Sequence, residues 1–249
     1  MDIFSKETWK NYDAAGLIKQ RLELIKRIIP DDVSTILDAG CGNGAITNEL
    51  GNFYAIVGLD LSPAALEHVQ TPKILGSVSS MPFSDKSFDL CMCNEVLEHL
   101  HQAELAEAIS ELKRVAARYV LLSVPNQEQL DQGLVKCPVC GSVFHVYGHL
   151  QSFDIKRLNS LMGLQAKWHK TLGPKTRWVW PLLLHYRQQQ LNQWFNPQFT
   201  MDCPDCGNRE FKAKSSLATK LANAIARLKI PRKRYWLMAL YELKQPASE

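Results

Sequence analysis

The stretch Asp38-Ala-Gly-Cys-Gly-Asn-Gly44 has the residue types and spacing most suited to chemistry in this 249-residue chain. An apolar run from Ile36 ends on an acid, Asp38, and glycines follow at alternate positions, Gly40, Gly42 and Gly44. A second apolar run, Tyr54-Ala-Ile-Val-Gly-Leu59, delivers another acid, Asp60. Glycine lets the backbone approach a ligand closely, and one carboxylate can accept hydrogen bonds from two hydroxyls. A strand, a tight turn, a helix and a second strand tipped by an acid together make a grip for an adenosyl cofactor on a parallel α/β sheet. The spacing narrows the choice. A dinucleotide fingerprint reads G-x-G-x-x-G, whereas here the third glycine comes one residue early, and no Lys-Ser/Thr follows to make a P-loop.

A second constellation is built on sulfur. Four of the seven cysteines form two copies of one pattern, Cys137-Pro-Val-Cys140-Gly141 and Cys203-Pro-Asp-Cys206-Gly207. The N-terminus has neither a basic region nor an apolar core of signal-peptide type, and no run approaches the ~20 apolar residues of a membrane span. A cytoplasmic setting follows, where thiols stay reduced and such pairs read as metal ligands. Each knuckle offers two thiolates, and two knuckles make a closed, structural zinc site of Cys137, Cys140, Cys203 and Cys206. Sixty-two residues separate Cys140 from Cys203, so the metal would pin two separate insertions together. Cys41, Cys91 and Cys93 read as small buried residues.

The D-x-G-x-G-x-G form of the first stretch resembles motif I of the class I S-adenosylmethionine-dependent methyltransferases. The resemblance extends through Gly76-Ser-Val-Ser-Ser-Met-Pro-Phe83 and Asp85-Lys-Ser-Phe-Asp-Leu-Cys-Met-Cys-Asn94 to Glu95-Val-Leu-Glu-His-Leu100, about residues 33–125. It implies an α/β, Rossmann-like fold: a seven-stranded, mostly parallel sheet with helices on both faces, here with a small zinc-binding insertion. It also implies that the loop backbone runs under the methionine half of the cofactor and that Asp60 takes the ribose hydroxyls. The implied cofactor set is Asp38, Gly40, Cys41, Gly42, Asn43, Gly44, Asp60, Leu61, Ser77, Val78 and Asn94. Ser77 departs from the family's pattern, standing where an acid usually receives the adenine amino group; its hydroxyl can still accept that bond.

The elements that must position these residues are legible from periodicity. Trp9 to Ile29 reads as helix, with Leu17, Ile18, Leu22, Ile25 and Ile28 on one face and Pro30 as the stop. Strands are expected at about 34–38, 54–59, 72–75, 88–93 and 118–124, with helices from Ala45 and over Gln102 to Val115. Asp154 caps a helix that Gly163 ends, and strands follow over Leu164 to Thr171 and Arg234 to Leu243. The organisation predicted is an N-terminal helical segment, 1–30, and a methyltransferase domain, 31–249. Its insertions, 126–150 and 174–232, form the zinc and substrate module.

Methyl transfer to a hydroxyl usually requires removal of a proton. His149, His99 and Glu95 are the candidates for that base, with His145 beside them. The stretch Trp178-Val-Trp-Pro-Leu-Leu-Leu-His185, with Trp194-Phe195, is a candidate cover for the acceptor pocket or a packed part of the core. The net charge is +4, and Arg209 to Arg234 alone carries nine basic residues against one acid, leaving 4 − 8 = −4 elsewhere. Leu217, Leu221, Ala224, Ile225 and Leu228 put an apolar stripe on that segment, which suits domain packing, an anionic membrane surface or RNA. The run Cys-Pro-x-Cys-Gly-x-x-Phe-His-x-x-Gly-His-Leu-x-x-Phe resembles a bacterial subset of the family associated with cell-surface polysaccharide and other secondary biosynthesis. The first reading is therefore methylation, on oxygen, of a small-molecule, sugar or glycan acceptor. An RNA methyltransferase using the zinc module and basic segment is the second reading, and a non-catalytic cofactor-binding module the third. The sequence leaves the oligomeric state open.

Overall fold

A computed structural model gives the fold and describes residues 17–195, 197, 201–211 and 232–243. Seven strands form one sheet in the order β3-β2-β1-β4-β5-β9-β8. They are β1 (Thr35–Ala39), β2 (Ala55–Asp60), β3 (Lys73–Leu75), β4 (Phe88–Asn94), β5 (Ala116–Pro125), β8 (Trp168–Arg177) and β9 (Arg232–Glu242). The first five pair in parallel, and β9 runs antiparallel to both its neighbours. A separate hairpin pairs β6 (Leu134–Lys136) with β7 (Val143–His145).

Strict alternation along the central strands builds two cores, one on each face of the sheet. Leu37, Cys91, Cys93, Val120, Leu122 and Leu237 bury against α4 (Gln102–Val115) and α5 (Ile155–Met162). Their neighbours Ile36, Leu90, Met92, Leu121 and Met238 point the other way, against Ile18, Leu22 and Ile25 of α1 (Leu17–Ile28). The N-terminal helix thus covers the sheet as an integral part of the domain. The remaining helices are α2 (Thr47–Leu50), α3 (Pro63–Leu66) and α6 (Pro181–Gln189). Among the described residues no helix is long and apolar enough to cross a membrane. Residues 9–16 of the predicted first helix, and 212–231 of the basic segment with its apolar stripe, lie outside the described residues.

Two elements differ from the sequence expectation. The helix expected from Ala45 is a single turn, Thr47–Leu50, because Gly51 and Asn52 follow at once and the chain turns into β2. The strand expected over 164–171 begins at Trp168 and runs on to Arg177. Asn159 holds the start back: its backbone carbonyl accepts from Leu164 N (3.2 Å) and its side-chain oxygen accepts from Ala166 N (3.2 Å). The far half, Gly-Pro-Lys-Thr-Arg, has no alternation to betray it and pairs with β9 through main-chain geometry. The chain therefore leaves the sheet after Arg177, not at 174, and rejoins it at Arg232.

The register of β8 and β9 shifts between Leu172 and Lys175, and Gly173 occupies the shift with φ +85°. A Cβ there would meet the Trp236 ring at 2.3 Å. Gly173→Ala combines a left-handed backbone with a steric clash and is expected to cost more than about 1 kcal/mol of unfolding free energy. Urea titration checks this, and an unchanged midpoint would show that Trp236 has room to move.

Candidate functional site

The carboxyl ends of β1, β2, β4 and β5 meet at one edge of the sheet, where open α/β sheets bind ligands. Gly40, Gly42 and Gly44 all have positive φ, at 81°, 54° and 76°. Gly40 and Cys41 donate their N–H groups to Leu59 O at 2.7 and 3.0 Å, which ties the β1 loop to the tip of β2. A Cβ on Gly40 would lie 2.2 Å from a Val96 methyl, so only glycine fits this approach. Asn43 Oδ1 accepts from Ala45 N and fixes the turn.

Asp60 completes this half. One oxygen accepts from Gly42 N (2.8 Å) and the other from Ser62 N (2.9 Å). An ionised carboxylate has about four acceptor positions, so one remains on each oxygen, a match for two adjacent hydroxyls. Leu61 beside it is 67% exposed, an apolar surface next to a polar grip. Ser77 Oγ lies 2.8 Å from Ser79 Oγ and accepts from Ser79 N, and Val78 is buried.

Asp38 is buried at the tip of β1, and Thr47 Oγ1 donates to it at 2.6 Å. Burial pushes its carboxyl up to about 6, against the lowering effect of Thr47 and neighbouring Asn94. The Asn94 amide faces this carboxyl, yet neither of its buried polar atoms completes a well-formed hydrogen bond. Buried polar atoms are rarely left so outside functional sites.

The second half begins one residue later. Glu95 has φ 56°, a strained conformation for a residue with a side chain, and Glu95 N donates to Ser123 O. Ser123 Oγ (3.0 Å) and Trp236 Nε1 (2.7 Å) donate to its two oxygens, and Arg21 Nη1 of α1 lies 3.6 Å away. Burial raises its carboxyl despite Arg21 and these bonds. Both oxygens are committed, so Glu95 clamps four elements together.

Beyond it, Glu98 and His99 sit in a short 3-10 helix, Leu97–His99. Glu98 O accepts from Leu150 N (2.7 Å) and Gln151 N (3.1 Å), which hangs the loop after β7 on this helix. That contact brings His149 against His99, with ring centroids 4.9 Å apart, and against His145, stacked at 4.8 Å. Glu128 lies 2.5 Å from His149 Nδ1 and fixes the imidazole's orientation. Burial lowers His99 and His145 to about 4, so both rings are neutral. Burial and nearby Glu95 hold the Glu98 carboxyl well above its usual range. His101 N donates to Glu104 Oε2 at 3.1 Å at the start of α4.

Sequence reasoning selected His99, His145, His149 and Glu95 but passed over Glu98 and Glu128. Glu98 lay inside a quoted motif, and its burial was the missing information. Glu128 follows Asn126-Gln127 in a loop without periodicity, so nothing local marks it. Glu128 also lines a cavity of about 620 Å3 with Phe153, Asp154, Arg157, Trp178 and Lys233. Of the aromatic stretch, Trp178 reaches this cavity. Phe195 instead donates its N–H to Leu134 of the β6–β7 hairpin.

The hairpin carries the first cysteine knuckle. Gly141 N donates to Cys137 O, and Gly207 N to Cys203 O, with φ 79° and 70°: one turn used twice. Cys137 and Cys206 sulfurs lie 3.6 Å apart, as do those of Cys140 and Cys203. A tetrahedron of ~2.3 Å Zn–S bonds has edges of about 3.8 Å. Cys41, Cys91 and Cys93 are buried single thiols.

Residues 37–122 match the family described as Methyltransferase domain. The chain is 30% identical over 134 residues to a small RNA 2'-O-methyltransferase of Arabidopsis thaliana, covering 45% of this chain and 14% of that protein. It is 34% identical over 110 residues to a malonyl-[acyl-carrier protein] O-methyltransferase of Dechloromonas aromatica, covering 41% of each. The chain thus spans less than half the length of either relative. In fold it is similar to a SAM-dependent methyltransferase from Archaeoglobus fulgidus, at TM-score 0.52 and 15% identity over 90% of this chain and 94% of that one.

Proposed function

We propose that this chain, with its match to a methyltransferase domain and its fold like that of SAM-dependent methyltransferases, is a class I S-adenosylmethionine-dependent methyltransferase that transfers a methyl group to a hydroxyl of a small-molecule, sugar or glycan acceptor. The observation that carries the cofactor half is Asp60, whose oxygens are held by two backbone donors with one acceptor position left on each. Gly40, Cys41, Gly42, Asn43 and Gly44 would shape the floor, Leu61, Ser77 and Val78 the adenine side, and Asp38 and Asn94 the methionine side. The cofactor supplies a methyl group already activated on a positive sulfur. The chain's own residues therefore align the acceptor, exclude water and deal with its proton. His149, fixed by Glu128, is the residue on which that last task depends, with neutral His99 against it. The Glu128-lined cavity would receive the acceptor.

Oxygen is favoured over nitrogen because the cluster is rich in buried groups that manage a proton, and because both named relatives are O-methyltransferases by name. The Arabidopsis relative's name also favours a second reading, a ribose hydroxyl of RNA. Steeply salt-dependent RNA binding would support it. A non-catalytic cofactor-binding module is the remaining alternative. Cytoplasmic location and the division into domain and insertions stand with this proposal.

Three measurements test the reading. Calorimetry should show cofactor binding that is level above pH 7 and weakens up to about tenfold per unit below pH 6. The direction follows from Asp38: a positively charged ligand favours its carboxylate, and this carboxyl holds its proton until about 6. No binding at pH 7.5 would remove both enzyme readings. His149→Ala should lower turnover of a hydroxyl acceptor by about 10²–10⁴-fold at saturating cofactor while leaving cofactor affinity intact; full turnover would take His149 out of the mechanism. Finally, the four thiols are assigned one structural zinc. Elemental analysis should find one zinc per chain, lost in Cys137→Ser, and zinc-free protein with an intact hairpin would contradict the assignment.

A further inference from the structure

Five groups able to bind a metal converge outside the cysteine module. Glu98, His99 and His149 place one ligand atom each within 4.8 Å of one another, and Glu128, His145 and His149 do the same. Ligands on opposite sides of an ion at ~2.1 Å lie about 4.2 Å apart, so the first trio needs only a small closure of side chains. Glu98 supplies the second observation. Its side chain is fully buried, and neither carboxylate oxygen has a hydrogen-bond partner. Such a group is costly to bury unless it is paired or coordinates a metal. Arg21, the nearest buried cation, is already 3.6 Å from Glu95 and stacked on Trp236.

The two trios share His149, and its geometry separates them. His149 Nδ1 lies 2.5 Å from Glu128 Oε2, which leaves the other ring nitrogen for an ion. A carboxylate that orients an imidazole from behind is the usual outer shell of a metal-bound histidine. His145 is poorly placed to bind. Its Nδ1 accepts from Tyr147 N and His149 N; its Nε2 lies 3.6 Å from Glu128, the carboxylate already engaged with His149, and is crowded by the Gly133 backbone, where a Cβ would sit 2.1 Å away.

We propose that Glu98, His99 and His149 form a divalent-cation site that binds the acceptor's oxygen, with Glu128 as the orienting group behind His149. The inference rests on the O-methylation reading and deepens it. Two imidazoles and one carboxylate, with open positions, suit a first-row ion such as Mn2+, Co2+ or Zn2+ better than Mg2+ or Ca2+. The acceptor class is then a hydroxyl with a second oxygen nearby to share the ion. Coordination lowers the hydroxyl's pKa, and its proton passes to solvent water. As the new carbon–oxygen bond forms, the carbon–sulfur bond of the donor breaks and its electron pair stays on sulfur. His149 acts through the ion rather than as a base.

Mn2+ alone is the probe, because thiolates select softer ions and the cysteine module will not compete for it. The full-length protein, with its zinc content verified, is titrated with Mn2+ and followed by electron paramagnetic resonance. One site per chain is expected, weakened at least tenfold in both Glu98→Gln and His149→Gln. The surface change Glu242→Gln, far from the cluster in an exposed ion pair with Lys167, should leave it unchanged. Circular dichroism confirms that each variant is folded, and Glu98→Gln keeps shape while removing the charge. Absence of a site in the wild-type chain, or binding by either cluster variant as tight as the wild type's, overturns the proposal. Cofactor calorimetry on the same samples separates the two claims. Mn2+ binding without cofactor binding removes the methyltransferase reading alone, and cofactor binding without Mn2+ binding removes the cation site alone.

Discussion

Burying carboxylates is costly unless each has a partner, and this protein buries Asp38 and Glu98 and half-buries Glu95 along one edge of its sheet. Each is handled differently, and the differences organise the molecule. Glu95 takes donors from β5 and β9 and lies near Arg21 of α1, so the strand order and the N-terminal helix are locked around it. Asp38 has one hydroxyl donor, from Thr47, and burial raises its carboxyl to about 6. Glu98 has no partner on its side chain, while its backbone carbonyl anchors the loop that brings in His149. One short segment, Asn94 to His99, therefore joins the two halves of the site.

Much of this arrangement was legible in the chain. The alternate glycines and the acids closing β1 and β2 marked the loop and its tie to Asp60 in advance, because a tight turn at a strand end is set by local backbone geometry. The two cysteine knuckles were equally plain, since each is a turn closed by its own glycine. The carboxylate–imidazole cluster was less visible for a physical reason. It is assembled from residues 98, 99, 128, 145 and 149, brought together by backbone bonds from Leu150 and Gln151 to Glu98. Nothing in local periodicity records such contacts. The outer half of β8 was hidden likewise, because an edge strand of Lys, Thr and Arg is held by main-chain pairing rather than an apolar face.

On the proposed reading, the insertions would give a scaffold shared across many chemistries its particular acceptor site. The first leaves the sheet after β5 and is sewn back where Gln127 N donates to Phe153 O at 2.6 Å. Between those points lie the cysteine hairpin, Glu128, His145 and His149. Pinning Cys137 and Cys140 to Cys203 and Cys206 would fix this excursion against the one that follows β8. The hairpin would then set where Glu128 and His149 stand relative to the cofactor loop.

A crystal structure with S-adenosylhomocysteine tests the central claim most directly, that one edge of the sheet presents a cofactor loop and a carboxylate–imidazole cluster to each other. The account predicts both ribose hydroxyls on Asp60 and the sulfur facing the space bounded by Asn94, His99 and His149. Product bound elsewhere, or with its sulfur turned away from that cluster, would contradict it.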